Sequence, residues 1–120
     1  MPSSAAKPVI LSPERRRRRH PRYRASVPVA VVLLVGANYQ RLEGHGRDIS
    51  EAGIGILLAA ELTGGEVVSL RFSLPNSGQW EIRAVLRHRR GYQYGFEFLS
   101  LTAEQRNFLV SYVEGLERID

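Results

Sequence analysis

The sequence has 120 residues, 43% hydrophobic and 24% charged, a composition that predicts one globular domain with a modest core. It contains no cysteine, which excludes disulfides and thiolate metal sites. Residues 1–24 carry eight basic side chains and one acid, whereas residues 25–120 carry nine arginines and 11 acids. The folded body is therefore slightly acidic, which is not typical of a uniformly basic nucleic-acid-binding domain.

The beginning of the chain is basic and polar. Residues 1–14 mix serine, alanine and three prolines, so we predict a disordered tail there and a domain spanning residues 15–120. Residues 15–24, RRRRRHPRYR, hold seven arginines and no apolar periodicity. Since the step from His20 to Pro21 disfavours a helix, we predict a flexible, extended basic arm.

An apolar run at residues 27–37 follows the arginines, as in a signal peptide. The run is about 11 residues long and is interrupted by Pro28, whereas a membrane-spanning helix needs ~20 residues. The basic stretch before it is also unusually long for a signal peptide. We therefore predict a buried strand and a cytoplasmic protein without stable membrane insertion.

Hydrophobic alternation predicts most of the remaining strands. Residues 27–35 predict a strand covered on both faces or a short buried helix, and their valine content favours the strand. Residues 40–47 are polar and predict an edge strand joined to it by a hairpin. Further strands are predicted at 54–58, 67–74, 80–87 and 92–98, with turns at 64–65, 75–78 and 88–91.

The last segment changes from strand to helix periodicity. Thr102 and Gln105 form a capping-box pattern that predicts the start of a helix. The residues after them form one apolar stripe at helical spacing, composed of Phe108, Leu109, Tyr112, Val113 and Leu116. The fold class predicted is mainly all-β: a small six-stranded antiparallel barrel with one C-terminal helix and a flexible basic N-terminal arm.

Residues 48–53, DISEAG, could build a small polar platform. In an extended backbone, Asp48 and Ser50 point to one side and Ile49 to the other. A carboxylate accepts hydrogen bonds from paired N–H groups of a base, and a hydroxyl can donate or accept. Gly53 allows positive φ or the close approach of a ligand. The alternative is a strand end followed by a turn that Ser50 caps locally.

The arginines of the arm suit an anionic nucleotide. A guanidinium binds phosphate through two parallel hydrogen bonds, matches the O6/N7 edge of guanine and stacks on a base. Arg18 and Arg22 are separated by three residues, so one flexible segment could contact a ligand from several sides. The alternative is a solvated charge run or a non-specific nucleic-acid tail.

Together the two stretches resemble the PilZ domain family. An RxxxR pattern, Arg18 to Arg22, is followed about 25 residues later by a DxSxxG pattern, Asp48 to Gly53, with strands between and after. The likeness extends through the strands and the final helix, over roughly residues 15–116. Arg15 and Arg19 also satisfy RxxxR, but the pattern ending at Arg22 leads directly into the first strand.

The resemblance implies a non-enzymatic receptor or adaptor that binds cyclic di-GMP, a bacterial second messenger. It implies that Arg18 and Arg22 contact phosphates and guanine edges, while Asp48 and Ser50 hydrogen-bond a guanine and Gly53 shapes the platform. It also implies that Arg17 and Arg19, which flank the motif, are further ligand-binding residues. A cation in the place of Arg17 is similar to family members that bind a stacked pair of ligands.

The predicted mechanism is a switch in the arm. A doubly anionic ligand neutralises the arm and orders it across the barrel, so that the reshaped surface signals to a downstream protein of unknown identity. We expect a monomer or weak dimer that needs no cofactor.

The sequence also bears on catalysis, nucleic-acid binding and membrane contact. The histidines His20, His45 and His88 are scattered and show no metal-ligand spacing, so we predict neither a catalytic residue nor a metal site. A basic-tailed small barrel that binds nucleic acid is an alternative, as is a PilZ-like protein-interaction module. Contact of the arm with anionic lipids would be secondary, since no amphipathic helix or lipidation signal is present.

Overall fold

The computed structural model describes residues 20–119. They form six strands and one helix. The predicted tail and the first half of the arm, including Arg17, Arg18 and Arg19, lie outside the described residues. In chain order the elements are β1 (Tyr23–Val35), β2 (Asn38–Ile49), β3 (Gly53–Leu57), β4 (Val67–Leu74), β5 (Gly78–Arg90), β6 (Gln93–Phe98) and α1 (Ala103–Glu114).

The strands close into an antiparallel barrel in the order β1-β2-β3-β6-β5-β4, with β4 pairing back onto β1. The predicted fold class is therefore confirmed. The prediction that residues 40–47 form an edge strand is correct for the first part of that range and wrong for the rest. Strand β2 pairs with β1 along its length but with β3 only from His45 onward, so within residues 20–119 the stretch 40–44 pairs with β1 alone. From His45 to Ile49 the strand is paired on both sides.

The alternating apolar residues point into the barrel and form its core, as predicted. On β3, Ile54 and Ile56 are buried, and Leu58 just after the strand is buried with them. On β5 the inward residues are Trp80, Ile82, Ala84 and Leu86. Because buried and more exposed residues alternate along β3, β4 and the first part of β5, the period of two in the sequence was sufficient to place these strands.

Two details of the predicted strands are wrong. Strand β5 continues to Arg90, and the turn consists of Gly91, with φ of +60°, and Tyr92, which is exposed and does not share the buried face. At the end of β1, Leu34 and Val35 are exposed and not covered on both faces. The pairing of β1 with β4 ends at Val32, so the β1–β2 hairpin extends beyond the barrel.

Helix α1 begins with the predicted capping box: the Thr102 hydroxyl accepts from the Gln105 N–H, and the Gln105 side chain accepts from the Thr102 N–H. Leu109 and Val113 are buried in the same core as the barrel residues. The Phe108 ring packs against Trp80 with ring centroids 5.6 Å apart. Among residues 20–119, no helix is long and apolar enough to cross a membrane.

Candidate ligand-binding site

Asp48 lies on the outer face of the barrel because β2 contains a bulge. The pairing of β2 with β3 shifts by one residue between Gly46 and Asp48. The extra residue, Arg47, allows two consecutive side chains to face outward before Ile49 returns to the core, where it is fully buried. As expected, the side chains of Asp48 and Ile49 therefore point to opposite faces of β2.

Ser50 caps the turn that follows β2. Its Oγ accepts hydrogen bonds from the N–H groups of Ala52, at 3.1 Å, and Gly53, at 3.2 Å. Its own N–H donates to the Gly53 carbonyl at 2.9 Å. The local capping interpretation is therefore correct for Ser50. The hydroxyl hydrogen is still available for donation to a ligand, since these two contacts use the oxygen as an acceptor.

Glycine at position 53 allows strands β3 and β6 to approach each other closely. Its φ is not positive, and it pairs with Glu97 of β6. A Cβ at this position would overlap the carbonyl oxygen of Phe96. The close approach at Gly53 is therefore to the backbone of its own barrel, and this contact fixes the position of the turn that carries Ser50.

Arg22 brings the arm to the platform. Its Nη1 lies 3.5 Å from the Asp48 Oδ1, and both side chains are largely shielded from solvent. Its Nη2 lies 3.5 Å from the Nε2 of His88 on β5. The neighbouring His20 is 3.5 Å from a carboxylate oxygen of Glu51. The end of the arm and the platform therefore meet through the Arg22–Asp48 ion pair and the contact of His20 with Glu51.

The backbone beside Arg22 is held by the end of the chain. The Ile119 N–H donates to the Arg22 carbonyl at 3.0 Å, and the Arg24 N–H donates to the Glu117 carbonyl at 2.7 Å. Tyr23 pairs with Arg118 between them. The residues that follow α1 thus fix the direction in which the arm leaves the barrel.

These side chains surround a cleft of about 190 Å³. This is smaller than the ~300 Å³ of a pocket that encloses a drug-sized ligand, so the cleft suits one base and not a whole dinucleotide. Of the predicted site residues, Arg22, Asp48, Ser50 and Gly53 are brought together here. The remaining lining residues are His20, Ala52, Ile54, Arg87, His88, Gly95, Phe96 and Glu97.

The outer face beside the cleft is basic, although the body has an excess of acids. A broad groove continues from Arg22 and Asp48 across β3, β6 and β5. Six arginines line this groove against two carboxylates, those of Asp48 and Glu97. The arginines are Arg22, Arg24, Arg47, Arg87, Arg89 and Arg90. Arg24 and Arg89 also pair with Glu117 and Glu61 outside the lining, and the arginines still outnumber the carboxylates. The excess of acids in residues 25–120 therefore did not predict this local basic surface, which favours anions.

Neither motif includes His88, Gly55 or Gly95, which the structure brings to the site. The sequence predicts a turn at residues 88–91, and nothing near His88 forms a motif. The glycines carried a usable signal, because glycine inside a strand often marks a place where another group approaches closely. Among the described residues, no cluster of three or more histidines and carboxylates is placed to hold a metal ion.

Comparison with known proteins identifies the family. The family model of the PilZ domain matches residues 16–115. The chain belongs to the PilZ domain family. Both motifs and the whole barrel of this PilZ domain lie inside the matched region. The PilZ domain is a receptor or regulatory domain and not itself an enzyme. No curated protein matches the sequence significantly.

Solved structures share the fold. The PilZ domain of YcgR from Escherichia coli, solved with c-di-GMP, is 20% identical with a TM-score of 0.66, covering 83% of this chain and 91% of that chain. The Bacillus subtilis inhibitor of motility, MotI/DgrA, is 23% identical with a TM-score of 0.67, covering 82% and 49%. YcgR from Escherichia coli in complex with c-di-GMP is 25% identical with a TM-score of 0.66, covering 82% and 45%. This chain spans about half the length of the last two proteins.

Proposed function

We propose that this PilZ domain is a cytoplasmic receptor for cyclic di-GMP that binds the ligand between its RxxxR arm and its DxSxxG platform. The observation that carries the proposal is the meeting of Arg22 and Asp48 at the cleft. Family membership and the structural likeness to PilZ domains solved with c-di-GMP support the choice of ligand.

Each side chain has a chemical task that matches a guanine nucleotide. The Asp48 carboxylate accepts from the adjacent N–H groups of guanine, and the Ser50 hydroxyl donates to a ring or phosphate acceptor. Arg22 donates to phosphate oxygens or to the O6/N7 edge of guanine. Gly53 holds the turn against β6, so that Asp48 and Ser50 keep their spacing.

Ligand binding then exchanges one set of partners for another. In the free protein the Arg22 guanidinium neutralises Asp48. When guanine N–H groups hydrogen-bond to the Asp48 carboxylate in place of Arg22, the Arg22 guanidinium can bind a phosphate. The carboxylate and the guanidinium both keep a charged or hydrogen-bonding partner, so neither is left buried and unpaired.

The small cleft requires the arm to complete the site. It accommodates about one base, so the phosphates and the second base lie outside it. We assign them to Arg17, Arg18 and Arg19 of the arm, and to the basic groove beside the cleft. By the resemblance to family members with a cation in this place, Arg17 favours a stacked pair of ligands over a single one.

The output is a change in the surface around residues 22–24. This segment is hydrogen-bonded to the residues that follow α1, so ordering of the arm is transmitted to the end of the helix. A downstream protein reads this surface, and the domain itself is a monomer or weak dimer. The ordering entropy of the arm is offset by charge-assisted hydrogen bonds to the phosphates.

The test is calorimetric titration of the protein with cyclic di-GMP. Arg22→Ala and Asp48→Ala each remove a charge-assisted contact, so we expect the affinity to fall roughly 10- to 100-fold. Arg41→Ala and Glu43→Ala are matched controls, because they break an exposed ion pair on β2 outside the cleft and should leave the affinity unchanged.

Two results would contradict the proposal. One is the absence of both heat and a thermal shift when the wild-type protein is mixed with cyclic di-GMP. The other is tighter binding to single-stranded oligonucleotides with a steep salt dependence, which would identify the basic face as a nucleic-acid surface. The titration also yields the stoichiometry, which distinguishes one ligand from a stacked pair.

A further inference from the structure

A β-bulge lies on each side of the cleft. Strand β2 has its extra residue at Arg47, and strand β5 has one at Arg87. Each bulge places two consecutive residues on the outer face, so that Asp48 and His88 both point away from the core. Bulges are frequent beside functional sites because they redirect a side chain. The DxSxxG motif begins next to the bulge of β2, whereas neither sequence motif includes the bulge of β5.

The two bulged strands frame a floor without side chains. Asp48 pairs with Gly55, Gly55 with Gly95, and Gly95 with His88, in one row across β2, β3, β6 and β5. A Cβ on Gly55 would overlap the Asp48 carboxylate. A Cβ on Gly95 would overlap the imidazole of His88. Both side chains therefore lean inward over the glycines from opposite sides.

Arg22 lies between these two side chains. Its Nη1 is 3.5 Å from the Asp48 Oδ1, and its Nη2 is 3.5 Å from the His88 Nε2. The His88 Nε2 accepts from a guanidinium only when the ring is neutral and carries its proton on Nδ1. The guanidinium thus contacts Asp48 through one nitrogen and His88 through the other.

We propose that His88 is a positioning residue of the ligand site, which orients Arg22 from the side opposite Asp48. This inference rests on the proposed function and extends it to a strand that neither motif covers. When a guanine displaces Arg22 from Asp48, the contact with Nε2 keeps the guanidinium at the rim of the cleft, directed toward the ligand. A fixed guanidinium loses less conformational entropy on binding than a mobile one.

The test combines removal, rescue and an independent displacement of the imidazole. His88→Ala removes the acceptor, and we expect affinity for cyclic di-GMP to fall about tenfold. His88→Gln places an amide oxygen at a similar reach and should restore most of it. Gly95→Ala should reproduce the loss, because its methyl displaces the ring while meeting no backbone atom among its nearest neighbours. His45→Ala is the matched control, since His45 contacts Ser26 and does not line the cleft.

The double variant tests whether the two substitutions weaken binding through the same imidazole or independently of each other. If His88 and Gly95 act through the same imidazole, combining His88→Ala with Gly95→Ala gives about the tenfold loss of either alone, and not their product. A hundredfold loss would contradict the proposal, as would a glutamine variant as weak as the alanine variant. Normal affinity of His88→Ala overturns this inference alone. Absence of binding by the wild-type protein overturns both the inference and the receptor function.

Discussion

Replacing Gly53 by alanine should destabilise the barrel even in the absence of ligand. The new methyl group would overlap the Phe96 carbonyl oxygen on β6. A carbonyl in a paired strand cannot rotate away as a side chain does, so β3 and β6 must separate locally. The same separation disturbs the hydrogen bonds that join Gly53 to Ser50.

The expected magnitude follows from the cost of overpacking. Inserting a methyl group into a tightly packed site costs ~1–3 kcal/mol, and a rigid backbone obstacle places Gly53→Ala near the upper part of that range. In a domain of about 100 residues, 2 kcal/mol lowers the melting temperature by roughly 10 °C. The assay is thermal denaturation followed by far-UV circular dichroism, with urea unfolding at 25 °C as a second measure of the free energy.

Two other glycines provide controls for this prediction. Gly64 has open space around it and an ordinary φ, so Gly64→Ala should be neutral or stabilise the protein by up to ~1 kcal/mol. Gly55→Ala meets the Asp48 carboxylate, which can rotate, so it should weaken ligand binding and largely preserve the melting temperature. Equal melting temperatures for Gly53→Ala and Gly64→Ala would refute the packing argument.

Three further substitutions test how the barrel and helix are held. Tyr94→Phe removes a hydroxyl that joins two backbone groups of residues 60–62, and should cost ~1–2 kcal/mol in urea unfolding; an unchanged midpoint would contradict that bridge. Leu109→Ala should cost ~2–5 kcal/mol in the same assay, while Val110→Ala, on the exposed side of the helix, should cost far less; equal losses would mean that α1 docks through another face. Thr102→Ala removes the helix cap and should cost ~0.5–2 kcal/mol, so unchanged stability would argue against the capping box.

The strands and the helix could be predicted because each has a regular period. Alternation placed Ile54 and Ile56 in the core, and the capping box of Thr102 placed the start of α1. The end of β5 could not be predicted because the bulge at Arg87 breaks the alternation. An interrupted period resembles a turn in the sequence, so His88 was placed outside the strand that carries it.

The candidate site was predictable only in part. Asp48 was placed correctly on a surface, and the structure brings it together with Arg22, while the role of both residues in ligand binding stays a prediction. The contribution of β5 depends on pairing between residues 66 positions apart, Arg22 and His88, which no local pattern encodes. Gly53 illustrates the same limit, since the sequence showed that a close approach was allowed but not which group approaches.

The central claim is that cyclic di-GMP binds over the outer face of β2, β3, β6 and β5, and nuclear magnetic resonance tests it most directly. Glycine amides occupy a distinct region of the ¹H–¹⁵N spectrum, and glycines lie both inside and outside the proposed site. Titration with cyclic di-GMP should shift the amides of Gly53, Gly55 and Gly95 and leave those of Gly36 and Gly64 in place. Shifts confined to the last two, or no shifts at all, would contradict the proposed receptor site.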